Sequence, residues 1–259
     1  MLLAIDIGNT NITLGIYNED SLIETFRLAS DKDLSQEEYE VLLKTLCKNY
    51  DIDSCSIGSV VEELNFCIKS AADKAFNIDS FLISNESNYG MKVLLKNPKE
   101  VGADRIANAY AAKTKYSLPA IVVDIGTATT FDVVSKNGDF LGGVIMPGLN
   151  LQFKSLSSNT SKLPRINAGI SEKAIGDSTE NALLSGIMRG SACAIEGLIH
   201  QCELELGERA TIIATGGQSR LVSEYMFRNF DYINPSLTLD GIKLLYELNR
   251  LKQVAKIKR

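Results

Sequence analysis

The sequence predicts an α/β protein of two similar halves, each a mixed β-sheet flanked by helices, and three observations support this. An apolar strand that ends in Asp-Ile-Gly, followed by small polar residues and a second strand, occurs twice, as LLAIDIGNTNITLGIY and as AIVVDIGTATTFDVV. The order of predicted elements after each copy is the same, β-β-β-α-β-α. No linker rich in Pro, Gly or Ser separates the copies, so we predict halves at 1–116 and 117–259.

The elements of the first half follow from local patterns. Residues 2–7 and 11–17 are runs of apolar and β-branched residues, which predict two strands joined at 8–10. Ser35 stands three residues before Glu38 as a capping box, so a helix is expected over SQEEYEVLLKTLCKNY. The other predictions are strands at SLIETFRLA, CSIGSVV and SFLIS, and helices at ELNFCIKSAADKAF and GADRIANAYAAKTKY.

The same order returns in the second half, from Ala120 onward. Apolar runs predict three strands, at 120–125, 129–135 and 139–145. The later elements are predicted as helices near 150–157 and 179–204, a strand at ATIIATGG, a helix after Gln218 and a last helix from Leu239.

Composition limits the class of protein. The chain has 259 residues, 45% hydrophobic and 23% charged, which is enough apolar material for a core, and its net charge of −5 argues against a nucleic-acid partner. Five cysteines without a CxxC pair, and a single histidine, argue against a zinc cluster. Free thiols fit a reducing compartment, and neither a signal sequence nor an apolar run of 18 residues is visible. We therefore expect a cytoplasmic protein without a membrane partner.

The repeated hairpin has a composition suited to phosphate binding. A turn of Gly and small polar residues exposes backbone N–H groups that phosphate oxygens can approach closely. An aspartate just before the turn would repel the phosphate itself, so Asp6 and Asp124 suit cations or the water around them. Two such hairpins would hold the terminal phosphates of a nucleotide from both sides, in a cleft between the halves. The alternative is ordinary turn chemistry, because Asp and Gly are common in turns.

A third glycine-rich segment follows a strand in TIIATGGQSRLV. Gly216 and Gly217 place bare backbone at a strand end and at the start of a helix, where the dipole is positive. Together with the two hairpins, this segment indicates a platform for adenosine; taken alone, it is also typical of a connecting turn.

The order of these three elements resembles the actin–hexokinase–Hsp70 superfamily of ATP-binding proteins, and within it the chain closely resembles type III pantothenate kinases. The resemblance covers almost the whole chain, and its EVGADR and DIGTATT blocks are specific to the family. The matching stretches are DIGNTNITLGIY (6–17), NPKEVGADRIANAYAA (97–112), VVDIGTATTFDVV (122–134), GGVIMPGL (142–149), GDSTENALLSGI (176–187) and ATGG (214–217).

The resemblance implies a fold and a reaction. The fold is two RNase H-like (actin-like ATPase) halves with an ATP cleft between them. The reaction is ATP-dependent phosphorylation of pantothenate to 4'-phosphopantothenate, the first step of coenzyme A biosynthesis, with Mg²⁺ and with K⁺ or NH₄⁺. The family is a homodimer, and the small-residue helix GIMRGSACAIEG would allow close packing there or inside its own chain. The alternatives are a kinase for another small hydroxyl compound and a non-catalytic nucleotide-binding regulator.

The GADR motif carries the implied base. The Asp104 carboxylate could accept the proton of the substrate hydroxyl. The Arg105 guanidinium could bind the substrate carboxylate or a phosphate. The competing interpretation is that both are first-turn helix residues, where the dipole favours Asp. Asp6 is also a candidate for the base.

The nucleotide and cation residues are implied in the same way. Asp6 orients Mg²⁺ through water, Asp124 binds the monovalent cation, and Thr127 contacts the nucleotide. The full ATP-binding set is Asp6, Ile7, Gly8, Asn9, Thr10, Asn11, Ile12, Thr13, Thr127, Gly216 and Gly217.

One implied substrate contact departs from the family pattern. Leu95 stands where the family usually has a tyrosine that lines the pantothenate pocket, and Tyr89 or Tyr110 are possible substitutes. Thr179 matches a substrate-contacting threonine, although a helix cap explains it equally well. The predicted substrate residues are Gly102, Ala103, Asp104, Arg105, Thr179 and Leu95.

Overall fold

The computed structural model describes residues 1–160 and 163–257, which form two units, each built around one five-stranded mixed sheet. The first unit comprises 1–92, 96–111 and the chain from Leu237 onward; the second comprises 93–95 and 112–236. Two mixed sheets flanked by helices confirm the predicted α/β class.

The first sheet has the strand order β3-β2-β1-β4-β5. Its antiparallel part is a meander, and the two remaining strands run parallel to β1 after helical crossovers. Apolar side chains of its inner face form one hydrophobic core with the first two helices. The strands are β1 (Leu2–Ile7), β2 (Asn11–Asn18), β3 (Ser21–Ala29), β4 (Ser54–Ser59) and β5 (Phe81–Leu82).

Three helices follow the strands of this unit: α1 (Gln36–Leu46), α2 (Glu62–Phe76) and α3 (Ala103–Lys115). The predicted capping box is confirmed, since the Ser35 hydroxyl accepts the N–H of Glu38 while the Glu38 carboxylate accepts the N–H of Ser35. A single 3₁₀ turn at Pro98–Glu100 precedes α3 and was not predicted.

The last helix, α7 (Leu237–Ile257), belongs to the first unit. It packs on β1, β2 and β4, and the Tyr17 hydroxyl donates to Asp240 Oδ1 over 2.8 Å in the core. Burial and this carboxylate raise the pKa of Tyr17, so the phenol keeps its proton. A Cβ on Gly241 would overlap the backbone of Ala107, so only glycine allows α7 to meet α3 this closely. The units thus differ from the predicted halves 1–116 and 117–259 mainly in this helix.

The second sheet has the order β10-β9-β6-β7-β8 and repeats the first, with an antiparallel meander and parallel strands beside its first strand. Its bounds agree with the predicted strands to within two residues, except that the two-residue β10 was not predicted. The strands are β6 (Ala120–Ile125), β7 (Ala128–Val134), β8 (Phe140–Pro147), β9 (Thr211–Thr215) and β10 (Tyr232–Ile233).

The helices of this unit are α4 (Leu149–Ser158), α5 (Thr179–Leu206) and the short α6 (Ser219–Ser223). By length and composition alone, the 28 residues of α5 are long and apolar enough to cross a membrane. One face of α5, including Met188 and Ile195, is buried in the hydrophobic core that it shares with the second sheet. The helix is therefore a core element of its unit.

Candidate active site

The first hairpin places Asp6 next to the end of β1, opposite Thr13 of β2 and Gly58 of β4. The Gly8 N–H donates to the Asn11 carbonyl over 3.0 Å, which closes the turn. The side chains of Asn9 and Thr10 in this turn are exposed. The turn therefore presents small polar residues to solvent directly after a half-buried carboxylate.

Two residues of the predicted nucleotide set have side chains in the core. Ile7 is 0% exposed and Ile12 is 2% exposed, and both belong to the hydrophobic core of the first unit. Only the backbone of these two residues is available to a ligand.

The GADR motif forms the start of α3. Asp104 lies in the first turn of the helix, and its Oδ1 accepts the N–H of Arg105 over 2.7 Å. A Cβ on Gly102 would overlap this carboxylate oxygen, so a bare glycine leaves room for the Asp104 side chain. The motif thus holds one carboxylate in a fixed orientation at a helix N-terminus.

The environment of Asp104 alters its acidity. Burial raises the pKa of this carboxyl group above its ordinary value, while the backbone N–H and the charge of Arg105 act in the opposite direction. Burial removes water and so disfavours the ionised carboxylate, whereas the N–H and the positive charge of Arg105 favour it. The net result is a carboxylate that accepts a proton more readily than an exposed aspartate does.

Val60 brings the first hairpin and the GADR motif together. Its N–H donates to the Ile7 carbonyl over 3.0 Å, immediately before the turn. Its Cγ1 lies 2.9 Å from where a Cβ on Gly102 would stand. The phosphate-type turn and the start of α3 are therefore neighbours in the first unit.

The second hairpin repeats the pattern in its own unit. Asp124 lies opposite Thr130 of β7 and Thr215 of β9. The turn is closed by the Gly126 N–H, which donates to the Ala128 carbonyl over 3.0 Å, and Thr127 is exposed.

The glycine-rich segment after β9 packs against this second hairpin. Gly216 has a φ of +85°, and a Cβ there would stand 2.6 Å from Asp124 Oδ1 and 2.6 Å from the Ile125 carbonyl oxygen. The N–H of Gly148, just before α4, donates to the Thr127 carbonyl over 3.1 Å. The structure thus brings together the second hairpin, the predicted adenosine segment and the start of α4.

The other predicted substrate residues are more dispersed. Thr179 is exposed at the first position of α5, and its alternative role as the cap is taken by Ser178, whose hydroxyl accepts the N–H of Asn181 over 3.1 Å. Leu95 belongs to the second unit, where its Cδ2 lies 2.8 Å from where a Cβ on Gly142 would stand.

The aromatic residues considered as substitutes have structural contacts of their own. The Tyr89 hydroxyl donates to the Ser84 carbonyl over 2.9 Å. The Tyr110 ring packs on Gly90, whose φ is +66°. His200 is exposed on α5, as expected for a helix-surface residue.

Comparison with known proteins identifies the family. The family model described as type III pantothenate kinase matches residues 2–201. A curated type III pantothenate kinase from Exiguobacterium sibiricum is 40% identical, and the alignment covers 96% of this chain and 100% of that relative. The chain belongs to the type III pantothenate kinase family.

Solved structures agree with the fold. A Campylobacter jejuni protein named for the Baf family of transcriptional activators has a TM-score of 0.63 at 22% identity, covering 96% of this chain and 98% of that chain. The activator of 2-hydroxyisocaproyl-CoA dehydratase from Clostridium difficile, with bound ADPNP, has a TM-score of 0.55 at 14% identity, covering 98% and 97%. At these identities the likeness is one of fold.

Family membership establishes the activity. The pantothenate kinase transfers a phosphoryl group from ATP to pantothenate in coenzyme A biosynthesis. The two alternatives raised by the sequence, another acceptor and a non-catalytic regulator, are not needed to explain the chain.

Three contacts around the hairpins were not found from the sequence. Val60, Ser30 and Gly148 each bind a carbonyl of a hairpin turn or of the strand end before it. Gly148 lay inside the matching stretch GGVIMPGL, so a signal existed for it. Val60 and Ser30 simply follow strands, and their residue types do not indicate that they bind carbonyl groups of the first hairpin.

Proposed function

We propose that the first hairpin binds the phosphates of ATP and that Asp104 is the general base of the pantothenate kinase reaction. The observation that carries this proposal is the contact of Val60 with both segments, through the Ile7 carbonyl and Gly102. It supports a site in which a phosphate-binding turn adjoins a carboxylate, the two parts that transfer to a hydroxyl requires.

Asp104 takes the proton of the primary hydroxyl of pantothenate as that oxygen attacks the γ-phosphorus and ADP leaves. Its raised pKa makes the carboxylate a better proton acceptor, and the bond from the Arg105 N–H keeps it oriented. Arg105 binds the substrate carboxylate or a phosphate as a fork of donors. Gly102 and Ala103, beside Asp104, would line the pantothenate, and Leu95 and Thr179 remain predicted substrate contacts.

A divalent cation, Mg²⁺, fits the first hairpin. Within residues 1–160 and 163–257, no group of three or more His, Cys, Asp or Glu side chains is arranged to hold a metal. Mg²⁺ commonly relies on phosphate oxygens, water and one or two carboxylates, which suits the single carboxylate of Asp6. Asp6 would therefore hold water around the cation and Gly8 to Thr13 would contact the nucleotide, while Thr127 remains a predicted nucleotide contact of the second hairpin.

A monovalent cation, K⁺ or NH₄⁺, fits the second hairpin. Gly216 has no side chain beside Asp124 Oδ1 and the Ile125 carbonyl, and a Cβ would fill that space. Two of the three nearest atoms are oxygens, the donors that hard cations prefer, and the third is the Ile125 carbonyl carbon. When bound, such cations neutralise phosphate charge. Asp124 would hold the monovalent cation, and Gly216 with Gly217 would support the adenosine.

A homodimer in the cytoplasm completes the proposal. The exposed stripe Gly186, Gly190, Cys193 and Gly197 runs along α5. In the part of the chain that the structure describes, no atom other than those of adjacent residues and of the nearby α5 backbone comes within 4 Å of a Cβ placed on these three glycines. Small residues allow two helices to approach closely, so this stripe supports α5 as the contact between copies. The sedimentation mass of the purified chain tests the dimer.

The test of the catalytic assignment is phosphorylation of pantothenate by the full chain with ATP and Mg²⁺, with and without K⁺. Asp104→Asn should lower kcat by at least about 100-fold, the lower end of the range for loss of a general base. The exposed Asp51→Asn is the matched control and should leave the rate unchanged. If Asp6→Asn abolishes turnover even at saturating Mg²⁺ while Asp104→Asn does not, Asp6 is the base.

The pH dependence gives a second check on Asp104. Its pKa is raised, so the rate should fall as the pH drops through a value above that of an ordinary aspartate. Folded Asp104 binds its proton more tightly than the unfolded chain does, so its ionised form costs folding free energy at neutral pH. Asp104→Asn should therefore unfold at the same temperature as the wild type or higher. A lower midpoint would mean that the carboxylate stabilises the fold.

A further inference from the structure

Ser30 holds the turn of the first hairpin from outside. It lies one residue beyond the end of β3, and its hydroxyl donates to the Gly8 carbonyl over 2.5 Å. Its backbone N–H donates to the Thr10 carbonyl over 3.1 Å. One residue from another strand thus fixes two carbonyl groups of a turn that is only a few residues long.

A hydrogen bond that fixes the orientation of a carbonyl group also fixes the orientation of the N–H in the same peptide group. In a planar trans peptide the C=O and the N–H point in opposite directions. The bond from Ser30 Oγ to the Gly8 carbonyl therefore turns the Asn9 N–H away from Ser30. Asn9 lies on the exposed part of the turn, so this donor is directed to the side where an anion can approach.

Ser30 is itself held by the core. The Tyr39 hydroxyl donates to the carbonyl of the next residue, Asp31, over 2.7 Å, and accepts the Asp31 N–H over 3.3 Å. Tyr39 lies on α1 and is 1% exposed. A buried side chain thus positions Asp31, which directly follows Ser30, and Ser30 positions the turn.

We propose that Ser30 is a positioning residue for ATP, which acts by orienting the Asn9 N–H toward a phosphate without touching the nucleotide. The inference rests on the proposed function, in which the first turn binds the phosphates. It goes further in naming a residue outside the hairpin that determines how well the turn does so, and in predicting that its effect concerns phosphate groups alone.

The test compares Ser30→Ala with Ser30→Thr, which keeps the hydroxyl, and with Ser21→Ala, the same change at the far end of β3. Loss of one hydrogen bond should lower kcat/KM for ATP by about five- to tenfold in Ser30→Ala, with the KM for pantothenate unchanged. Binding of ADP should weaken by a similar factor, while binding of adenosine, which has no phosphate, should not change. Ser30→Thr should restore most of the loss, and Ser21→Ala should behave as wild type.

Equal weakening of ADP and adenosine, or wild-type kinetics in Ser30→Ala, would overturn the inference. The variant Asp6→Asn separates this failure from failure of the proposed function. If Asp6→Asn impairs the use of ATP and Ser30→Ala does not, the turn binds phosphate and Ser30 is not needed for it. If neither variant affects ATP, the first hairpin is not the phosphate site.

Discussion

Both hairpins place an aspartate next to the end of a central strand and opposite a threonine of the following strand, yet different groups hold their turns. In the first unit, the side chain and the N–H of Ser30 bind the turn. In the second, the Gly148 N–H binds the Thr127 carbonyl, and the bare Cα of Gly216 lies against Asp124 and Ile125.

The difference concerns how each turn tolerates change. Loss of the hydrogen bond from the Ser30 hydroxyl should have a small effect, because one such bond contributes only about 0.5–1.5 kcal/mol. A threonine at this position also keeps the hydroxyl. Gly216, in contrast, lies so close to Asp124 and Ile125 that no side chain fits there. Adding a methyl group would force these close-packed atoms to move. The first turn should therefore respond gradually to mutation, and the second abruptly.

Among the changes that compare the two hairpins, the largest effect is expected for Gly216→Ala. A φ of +85° costs a residue with a Cβ about 1–2 kcal/mol. The Cβ would also press on Asp124 Oδ1, so kcat/KM for ATP should fall about 100-fold, equivalent to about 2.8 kcal/mol. Steady-state kinetics over a range of K⁺ concentrations measures both the loss and any change in cation activation.

Gly207→Ala is the matched control for this variant. Gly207 ends α5 with a φ of +74°, and among the residues described no atom other than those of its chain neighbours and of the nearby helix backbone lies within 4 Å of a Cβ placed there. It should lower stability only, by about 1 kcal/mol, with normal kinetics. Loss of activity in both variants would contradict a specific role for the space beside Asp124.

An intermediate effect is expected from changing each aspartate in turn. Asp124→Asn should raise the K⁺ concentration for half-maximal activity about tenfold, because removing a charge at contact distance costs roughly 1–4 kcal/mol. Asp6→Asn should leave the K⁺ response alone and raise the Mg²⁺ requirement instead. Activity titrations with each cation measure the two shifts. If the two variants change the K⁺ and Mg²⁺ requirements in the same way, the two hairpins do not bind different cations.

The smallest effect is expected for Tyr39→Phe. This change removes both hydrogen bonds to Asp31 and keeps the buried ring. Because it acts on the turn only through Ser30, kcat/KM for ATP should fall about two- to threefold, less than the loss of a direct bond. Tyr50→Phe, on a half-buried tyrosine of the same unit, is the comparison. A loss larger than that of Ser30→Ala would show that Tyr39 acts by another route.

Much of each sheet could be predicted because its signals are local. Alternating apolar runs gave the meanders to within a residue or two at most ends, and the capping box at Ser35 and Glu38 gave the start of α1. Those hairpins bring Asp6 and Asp124 to equivalent positions in their sheets, as the repeat suggested.

The remaining features depend on contacts between distant parts of the chain. Tyr17 and Asp240 are far apart in sequence, and nothing near either residue indicates that the last helix packs on the first sheet. Ser30 follows a strand, where serine is common, so its residue type does not reveal its bonds to the turn. Ser178 and Thr179 are both common N-cap residues, and the backbone geometry at the start of α5 shows that Ser178 is the cap.

Because α7 packs on the first sheet, the first unit cannot finish folding until the end of the chain has been translated. Protein domains generally fold as they emerge, the N-terminal one first. Here all of the second unit, through residue 236, is translated before α7 can cover β1, β2 and β4. Until then Tyr17 lacks the carboxylate of Asp240, and one side of the first sheet lacks its helix. The unit that is made first is thus completed last, and one face of its sheet stays uncovered through most of the synthesis of the chain.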